Sequence, residues 1–291
     1  MARRRRRRLR AQPLIHLVPN IFTVVSIGCG LTAIRYGFDQ RFEFAVLLII
    51  LAGVFDGLDG RSARLLKITS NLGAQLDSLA DFLSFGVAPV MLVYLWSLHQ
   101  VKGVGWALVL LFAVCSALRL ARFNSELEEP TQPPWKTRFF TGMPAPAAAG
   151  VIIMPMMLSF ALAEPWPRVW GLNAALGVVV ALMMVSRLPT FSIKMVFVRV
   201  KPEWVLPMLV GVGVIVAALL HAPWWTLFMV GVVYLISLPI GLIAAWRLRR
   251  TYDAGTMTPA SVAPEVVGVQ PRVVSIGGTG EDDQPSQTGR P

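Results

Sequence analysis

Eight apolar stretches of about 20 residues dominate this chain of 291 residues, and about 20 apolar residues are what one α-helix needs to cross a bilayer. They lie at 19–38, 42–60, 78–98, 104–122, 146–163, 168–186, 204–220 and 225–246. Hydrophobic residues make up 55% of the chain and charged residues only 15%, whereas about a quarter of a globular domain is charged. The sequence therefore predicts an all-α, polytopic membrane bundle of about eight transmembrane helices.

The distribution of basic residues predicts how this bundle is oriented. Segments on the cytoplasmic side of a membrane are enriched in Lys and Arg. If the N-terminus is cytoplasmic, all but four of the 27 Lys and Arg residues fall on the cytoplasmic side. The four exceptions are Arg35, Arg41, Lys102 and Arg168. We therefore expect both termini in the cytoplasm and a multi-pass protein of the cell (inner) membrane.

Two terminal segments fall outside the predicted bundle. Residues 1–16 contain the run Arg3 to Arg8 and form a polybasic cytosolic N-terminus, and contact with anionic lipid headgroups explains this charge better than nucleic-acid binding. Membrane lipids, and no nucleic acid, are therefore expected as partners. Residues 251–291 are rich in Gly, Pro, Ser and Thr and lack periodicity, which predicts a disordered cytosolic tail. The sequence leaves the oligomeric state open, with a homodimer as one candidate.

Four aspartates lie in or beside the second and third apolar stretches, where an isolated charge is costly and usually functional. Asp56 and Asp59 are spaced i,i+3, and Asp77 and Asp81 i,i+4, so each pair lies on one face of a helix. Two such helices facing each other gather four carboxylates, which repel one another unless cations join them. Carboxylate oxygens suit Mg²⁺ or Mn²⁺. The spacing therefore predicts a divalent-metal site, and four aspartates are enough to hold two such ions.

The residues around these aspartates form a longer motif. From Asp56 to Asp81 the chain reads D-x-x-D-G-x-x-A-R, then eight residues, then G-x-x-x-D-x-x-x-D. With every fixed position filled, this segment resembles the CDP-alcohol phosphatidyltransferases. The resemblance implies that Asp56, Asp59 and Asp77 are chiefly metal ligands. It implies that Asp81 is both a ligand and the catalytic base, which takes a proton because an aliphatic alcohol is a poor nucleophile until deprotonated.

The same resemblance implies a pocket for the cytidine diphosphate group. Its residues are Asn20, Thr23, Asp56, Gly60, Ala63, Arg64 and Gly73. Small residues beside the aspartates allow a nucleotide or a neighbouring backbone to come close. Gly53 and Gly57 also have the spacing of a helix-packing motif. Asn20 and Thr23 could equally cap the first helix, and only the resemblance favours a role in nucleotide binding.

Further segments, in the same order along the chain, resemble the branch of this family that uses serine. They are Pro19 to Thr23, Gly28 to Arg35, Gln75 to Pro89, Arg119 to Asn124, Phe140 to Ala148 and Ser186 to Lys194. The resemblance covers residues 17–200, the expected family domain, and leaves residues 201–250 as two additional transmembrane helices. It implies transfer of the phosphatidyl group from CDP-diacylglycerol to the hydroxyl of L-serine, with release of CMP, at an active site that faces the cytoplasm.

Four basic residues are candidates for binding the serine carboxylate or the lipid phosphate. They are Arg119, Arg122, Arg138 and Lys194. Arg offers two parallel N–H donors to a carboxylate or a phosphate. Basic residues are expected on the cytoplasmic side of any membrane protein, so a purely topogenic role is the alternative for each of them.

Two other functions remain open at this stage. The aspartate motif does not fix the acceptor, so the same chemistry with glycerol 3-phosphate, inositol phosphate or choline is the main alternative. Acidic residues at one end of a bundle can also form an ion site in a transporter. The aspartates lie together at the cytoplasmic boundary, and no comparable charge marks a path to the other side, which argues against transport.

Overall fold

The computed structural model describes residues 18–66, 71–128, 139–186, 189–191 and 202–253. In these ranges the chain forms ten α-helices. They are α1 (Val18–Phe38), α2 (Phe42–Leu66), α3 (Asn71–Asp81), α4 (Ala88–Trp96), α5 (Lys102–Glu128), α6 (Ala145–Ile152), α7 (Met154–Leu162), α8 (Trp170–Val185), α9 (Pro202–His221) and α10 (Pro223–Asp253). Short 3₁₀ turns at Leu98–Val101 and Trp166–Arg168 precede α5 and α8.

All eight predicted stretches are helical. Among the described residues, five helical segments are long and apolar enough to cross a membrane, and they are Pro19–Phe38, Leu72–Trp96, Leu98–Ser125, Ala145–Leu162 and Pro223–Gly241. The apolar helices over Trp170–Val185 and Val205–His221 are shorter. Helix α2 is long enough to cross a membrane, but its apolar stretch contains charged residues, Asp56 and Asp59 among them. The structure therefore confirms an all-α, polytopic membrane protein.

The third predicted stretch begins earlier than hydrophobicity indicates. Its apolar run starts at residue 78, whereas the helix starts at Asn71 and includes Asp77 and Asp81. A π-helix over Phe82–Val87 then joins α3 to α4, so that one continuous helical segment runs from the polar end of the bundle into its core. π-helical turns are rare in proteins overall, and those that occur are often found at functional sites.

A small antiparallel sheet packs against α10. Strand β1 (Phe139–Thr141) pairs with β2 (Pro189–Phe191), with Phe140 opposite Thr190. Gly142 follows β1 at φ +76°, and a Cβ atom there would lie 2.7 Å from the carbonyl oxygen of Met184. Only glycine fits this turn without strain.

The core is apolar and lies between α1, α2, α4, α5, α6, α7 and α8. Its largest fully buried side chains include Phe85, Leu92, Phe112, Met156 and Met184. Helices α1 and α2 pack along their length, α5 packs against α8, and α10 packs against α7 and β2. The core thereby fixes α1 against α2, and α3 packs against α1 and against the π-helix that follows it.

Candidate active site

Two side chains of α1 bind α2 at the end that carries the aspartates. The Thr23 hydroxyl lies 3.0 Å from Oδ2 of Asp59 and 3.1 Å from the carbonyl oxygen of Pro19, and it can donate to either. One turn further along α1, the Ser26 hydroxyl donates to the carbonyl oxygen of Ala52 at 3.2 Å. Asp59 also accepts a hydrogen bond from the backbone N–H of Gly60. Asp59 is therefore buried and held in one orientation.

Three of the four aspartates converge. One carboxylate oxygen from each of Asp56, Asp59 and Asp77 lies within 4.8 Å of the others. Asp56 and Asp59 share a face of α2 because they are one helical turn apart, and Asp77 comes from the facing side of α3. The helical spacing in the sequence thus correctly predicted that two helices gather these groups.

The fourth aspartate, Asp81, is the last residue of α3. Its carboxyl group is close enough to that of Asp56 for a hydrogen bond, a contact that two ionised carboxylates make only with a proton or a cation between them. Among the described residues its Oδ1 is buried and has no hydrogen-bond partner. Asp81 therefore adjoins the other three aspartates and keeps one acceptor oxygen for a ligand.

The π-helix after Asp81 is anchored to α1. The Ser84 hydroxyl donates to the carbonyl oxygen of Ser26 at 3.0 Å, and Ser26 in turn binds α2. A Cβ atom at Gly30 would lie 2.8 Å from Oγ and 3.1 Å from Cα of Ser84, so α1 and the π-helix approach as closely as only glycine allows. This chain of contacts ties together the three helical segments that carry or flank the aspartates.

These residues fit divalent cations. The donors are hard carboxylate oxygens, the kind that Mg²⁺ and Mn²⁺ prefer. Three of them converge within 4.8 Å, and a fourth carboxylate beside them has a buried oxygen without a partner in the described part of the chain. Such a group of negative charges is stable only if cations or protons offset their repulsion.

The residues expected around the nucleotide lie on α1, α2 and α3, the helices that carry or contact the aspartates. Asn20 is in the first turns of α1, Gly60 is on α2, and Gly73 is in the first turn of α3. Ala63 and Arg64 are also in α2, but their side chains lie outside the described residues. Their roles remain predictions.

The glycines of α2 differ in their surroundings. Around Gly57 an added Cβ would meet nothing within 4 Å, so there is open space beside the aspartates on α2. At Gly53 the same atom would touch the ring of Phe85 at 3.7 Å. Gly53 therefore lies at a helix contact, and Gly57 lies on an exposed part of α2.

The four basic candidates have different positions. Arg119, on α5, interacts electrostatically with Asp81, and its Nε is buried without a partner among the residues described. Arg122, one turn later, donates through Nη1 to the carbonyl oxygen of Val185 at 2.9 Å and so caps the end of α8. A guanidinium has five N–H groups, so this bond leaves others for a ligand. Arg138 and Lys194 lie outside the described residues.

The sequence did not identify some of the polar residues that lie near the site. Ser26 and Ser84 connect helices, yet serines are ordinary in membrane helices. Tyr234, on α10, interacts electrostatically with Arg119, and its hydroxyl is buried with no partner in the described ranges. A single tyrosine in an apolar helix does not indicate a site from sequence.

Comparisons with known proteins agree with this geometry. A family model described as CDP-alcohol phosphatidyltransferase matches residues 16–186, and one described as CDP-alcohol phosphatidyltransferase 2 matches residues 203–239.

Three relatives share the name CDP-diacylglycerol–serine O-phosphatidyltransferase. The one from Mycobacterium bovis is 38% identical over 78% of this chain and 79% of its own length. The one from Mycobacterium leprae is 37% identical over 78% and 75%, and that from Helicobacter pylori 40% over 50% and 59%. The first family model covers more than half of the chain, and its match includes all four aspartates. The expected family is thereby confirmed: the chain belongs to the CDP-alcohol phosphatidyltransferases.

Proposed function

We propose that this protein transfers the phosphatidyl group of CDP-diacylglycerol to the hydroxyl of L-serine, giving phosphatidylserine and CMP. The observation that carries the proposal is the cluster of Asp56, Asp59, Asp77 and Asp81 between α1, α2 and α3. The serine acceptor is supported by relatives that are named for this reaction and align over more than three quarters of the chain.

The residues have distinct roles in this reaction. Asp56, Asp59 and Asp77 would hold two divalent cations, Mg²⁺ or Mn²⁺. When bound, these cations neutralise charge on the pyrophosphate oxygens and on the carboxylates themselves. Thr23 keeps Asp59 in place through its hydroxyl.

Asp81 acts on the acceptor. Its buried, unpartnered Oδ1 takes the proton of the serine hydroxyl as the serine oxygen bonds to the phosphorus that carries diacylglycerol. The bond from that phosphorus to the bridging oxygen breaks, and the electron pair leaves with CMP. A base at this position supports direct transfer, without a phosphatidyl-enzyme intermediate.

The choice of acceptor is tested with purified protein, CDP-diacylglycerol, Mg²⁺ or Mn²⁺, and one alcohol at a time, with CMP release as the measurement. L-serine should support a far higher rate than glycerol 3-phosphate, inositol phosphate or choline. Preference for one of these three would reject serine as the acceptor while leaving the family chemistry intact. A homodimer stays a prediction, to be tested by measuring the mass of the protein in detergent.

The active site is proposed to face the cytoplasm from the cell membrane, as the distribution of basic residues indicates. Helix α5 offers a direct test because it is about 40 Å long at 1.5 Å per residue, and Lys102 and Ser125 are exposed near its two ends. The native Cys29 and Cys115 are buried. In intact cells an impermeant thiol reagent should label Lys102→Cys but not Ser125→Cys. Labelling of Ser125→Cys alone would invert the orientation.

A further inference from the structure

Three polar side chains from three different helical segments interact beside the aspartate cluster. They are Asp81 at the end of α3, Arg119 on α5 and Tyr234 on α10. Arg119 interacts electrostatically with both Asp81 and Tyr234. One polar atom of each residue, namely Oδ1, Nε and the phenolic oxygen, is buried without a hydrogen-bond partner among the described residues.

Unpartnered buried atoms of this kind are rare, because a buried donor or acceptor that lacks a partner is destabilising. In the described part of the chain, the other residues with such atoms are Ser97, Ser116 and Asn173, which are neutral. Arg119 and Asp81 are charged, and they adjoin the expected reaction centre. Their unused atoms therefore indicate a place where a polar ligand binds.

The three atoms define the chemistry of that ligand. Arg119 Nε–H is a donor, the Tyr234 hydroxyl can donate, and Asp81 Oδ1 is an acceptor. A molecule that pairs with all three has an anionic acceptor group at one end and a hydroxyl donor at the other. A hydroxy amino acid has both, with its carboxylate a few bonds from its hydroxyl.

We propose that Arg119 and Tyr234 bind the carboxylate of the acceptor amino acid and thereby place its hydroxyl at Asp81. The inference rests on the proposed function and assigns the acceptor end of that site. It makes Tyr234 a specificity-determining residue supplied by α10. Tyr234 lies outside the main family match but within the second match, over residues 203–239.

The test is Tyr234→Phe, which removes only the hydroxyl. The matched control is Tyr94→Phe, because Tyr94 is a partly buried tyrosine of α4 whose ring packs edge-on against Trp106, away from the aspartates. Loss of one hydrogen bond to a carboxylate should raise KM for L-serine about tenfold or more. The KM for CDP-diacylglycerol and the metal concentration for half-maximal rate should stay within about twofold of wild type.

A second measurement separates binding of the carboxylate from a structural role. Ethanolamine is serine without its carboxylate, and it can be assayed as an acceptor or as an inhibitor of CMP release. Tyr234→Phe should weaken serine and leave ethanolamine unchanged, so that the preference for serine falls. A purely structural role would weaken both equally. Arg119→Lys, which keeps the charge and loses Nε–H, should show the same selective loss.

The outcomes distinguish this inference from the proposed function. If wild-type protein releases CMP with L-serine, but Tyr234→Phe keeps both the wild-type KM and the preference over ethanolamine, the carboxylate site is wrong and the proposed function stands. If wild-type protein does not use L-serine, the proposed function fails and this inference fails with it. Equal loss with serine and ethanolamine would also overturn the inference.

Discussion

The aspartate end and the C-terminal helix pair are held in place by different means. The aspartate end consists of α1, α2, α3 and the π-helix, and the C-terminal pair consists of α9 and α10. At the aspartate end, hydroxyl groups form hydrogen bonds between helical segments, from Thr23 to Asp59 and from Ser84 to the carbonyl oxygen of Ser26. Helix α9 is different, since nearly all its described side chains from Val205 to Leu220 are exposed, and it packs on α10.

This contrast follows from the lipid that surrounds membrane helices. Lipid tails are as apolar as leucine, so burying one more apolar side chain between membrane helices gains little. Close approach at small residues and hydrogen bonds between helices provide the attraction instead. The aspartate end has both features, at Gly30 and at Ser26 for example. We therefore expect a substitution to have large effects at the aspartate end and small effects in the C-terminal pair, except at Tyr234 of α10, whose hydroxyl is proposed to bind the acceptor.

The largest effect is expected at Asp81. Asp81→Asn should lower kcat by about 10²–10⁴-fold, because loss of a general base typically costs that much. Binding of CDP-diacylglycerol should be largely kept, unless Asp81 is also a metal ligand, in which case binding falls too. The measurements are kcat and lipid-substrate binding for the purified variant. Turnover near the wild-type value would remove Asp81 from the chemistry.

A metal ligand on α2 comes next. Asp59→Asn should lower the rate by about 10²–10³-fold, because stabilisation by a bound metal is worth several kcal/mol and about 1.4 kcal/mol corresponds to tenfold. The Mg²⁺ or Mn²⁺ concentration for half-maximal rate should also rise. The control is Asp39→Asn, an exposed aspartate that pairs with Arg35 beyond the other end of α1. An unchanged metal dependence in Asp59→Asn would contradict the assignment.

The same change of threonine to valine should have unequal effects in the two regions. Thr23→Val removes the hydroxyl that holds the Asp59 carboxylate, and a hydrogen bond to a charged group is worth about tenfold in rate or more. Among the described residues, the Thr226 hydroxyl of α10 bonds to the carbonyl oxygen of Ala222, which immediately precedes this helix, so Thr226→Val should stay within about twofold. The measurement is kcat/KM for CDP-diacylglycerol. Similar losses in both variants would mean that the contrast between the regions is not functional.

The smallest effects concern stability. Gly30→Ala places a methyl group against Ser84 and should lower the free energy of unfolding by about 1–3 kcal/mol, the usual range for overpacking. At Gly211 of α9 an added Cβ meets nothing within 4 Å, so Gly211→Ala should be neutral or stabilising by about 0.5–1 kcal/mol. Thermal unfolding in one detergent compares the two. Destabilisation by Gly211→Ala would reveal a contact on α9 beyond those described.

The sequence predicted those parts of the site that depend on local helical geometry. Asp56 and Asp59 share a helix face because their spacing fixes it, and Asp77 follows the same rule. The interaction of Arg119 with Tyr234 could not be predicted, because it depends on how α5 and α10 pack. The periodicity of one helix carries no information about its packing against a distant helix. Arg119 and Arg122 of α5 were both candidates, but only packing shows that Arg122 caps α8.

The π-helix over Phe82–Val87 shifts the helical repeat by one residue between α3 and α4. Each of its hydrogen-bonded rings holds one more residue than an α-helical ring, so the face that follows it is rotated relative to the face before it. The core-facing residues of α4 are therefore one residue out of step with the helical repeat that contains Asp77 and Asp81. A π-helical turn holds the extra residue that an insertion into an α-helix adds, so deleting one residue here would restore an α-helical turn. After such a deletion Asp77 and Asp81 would keep nearly the same orientation relative to α4.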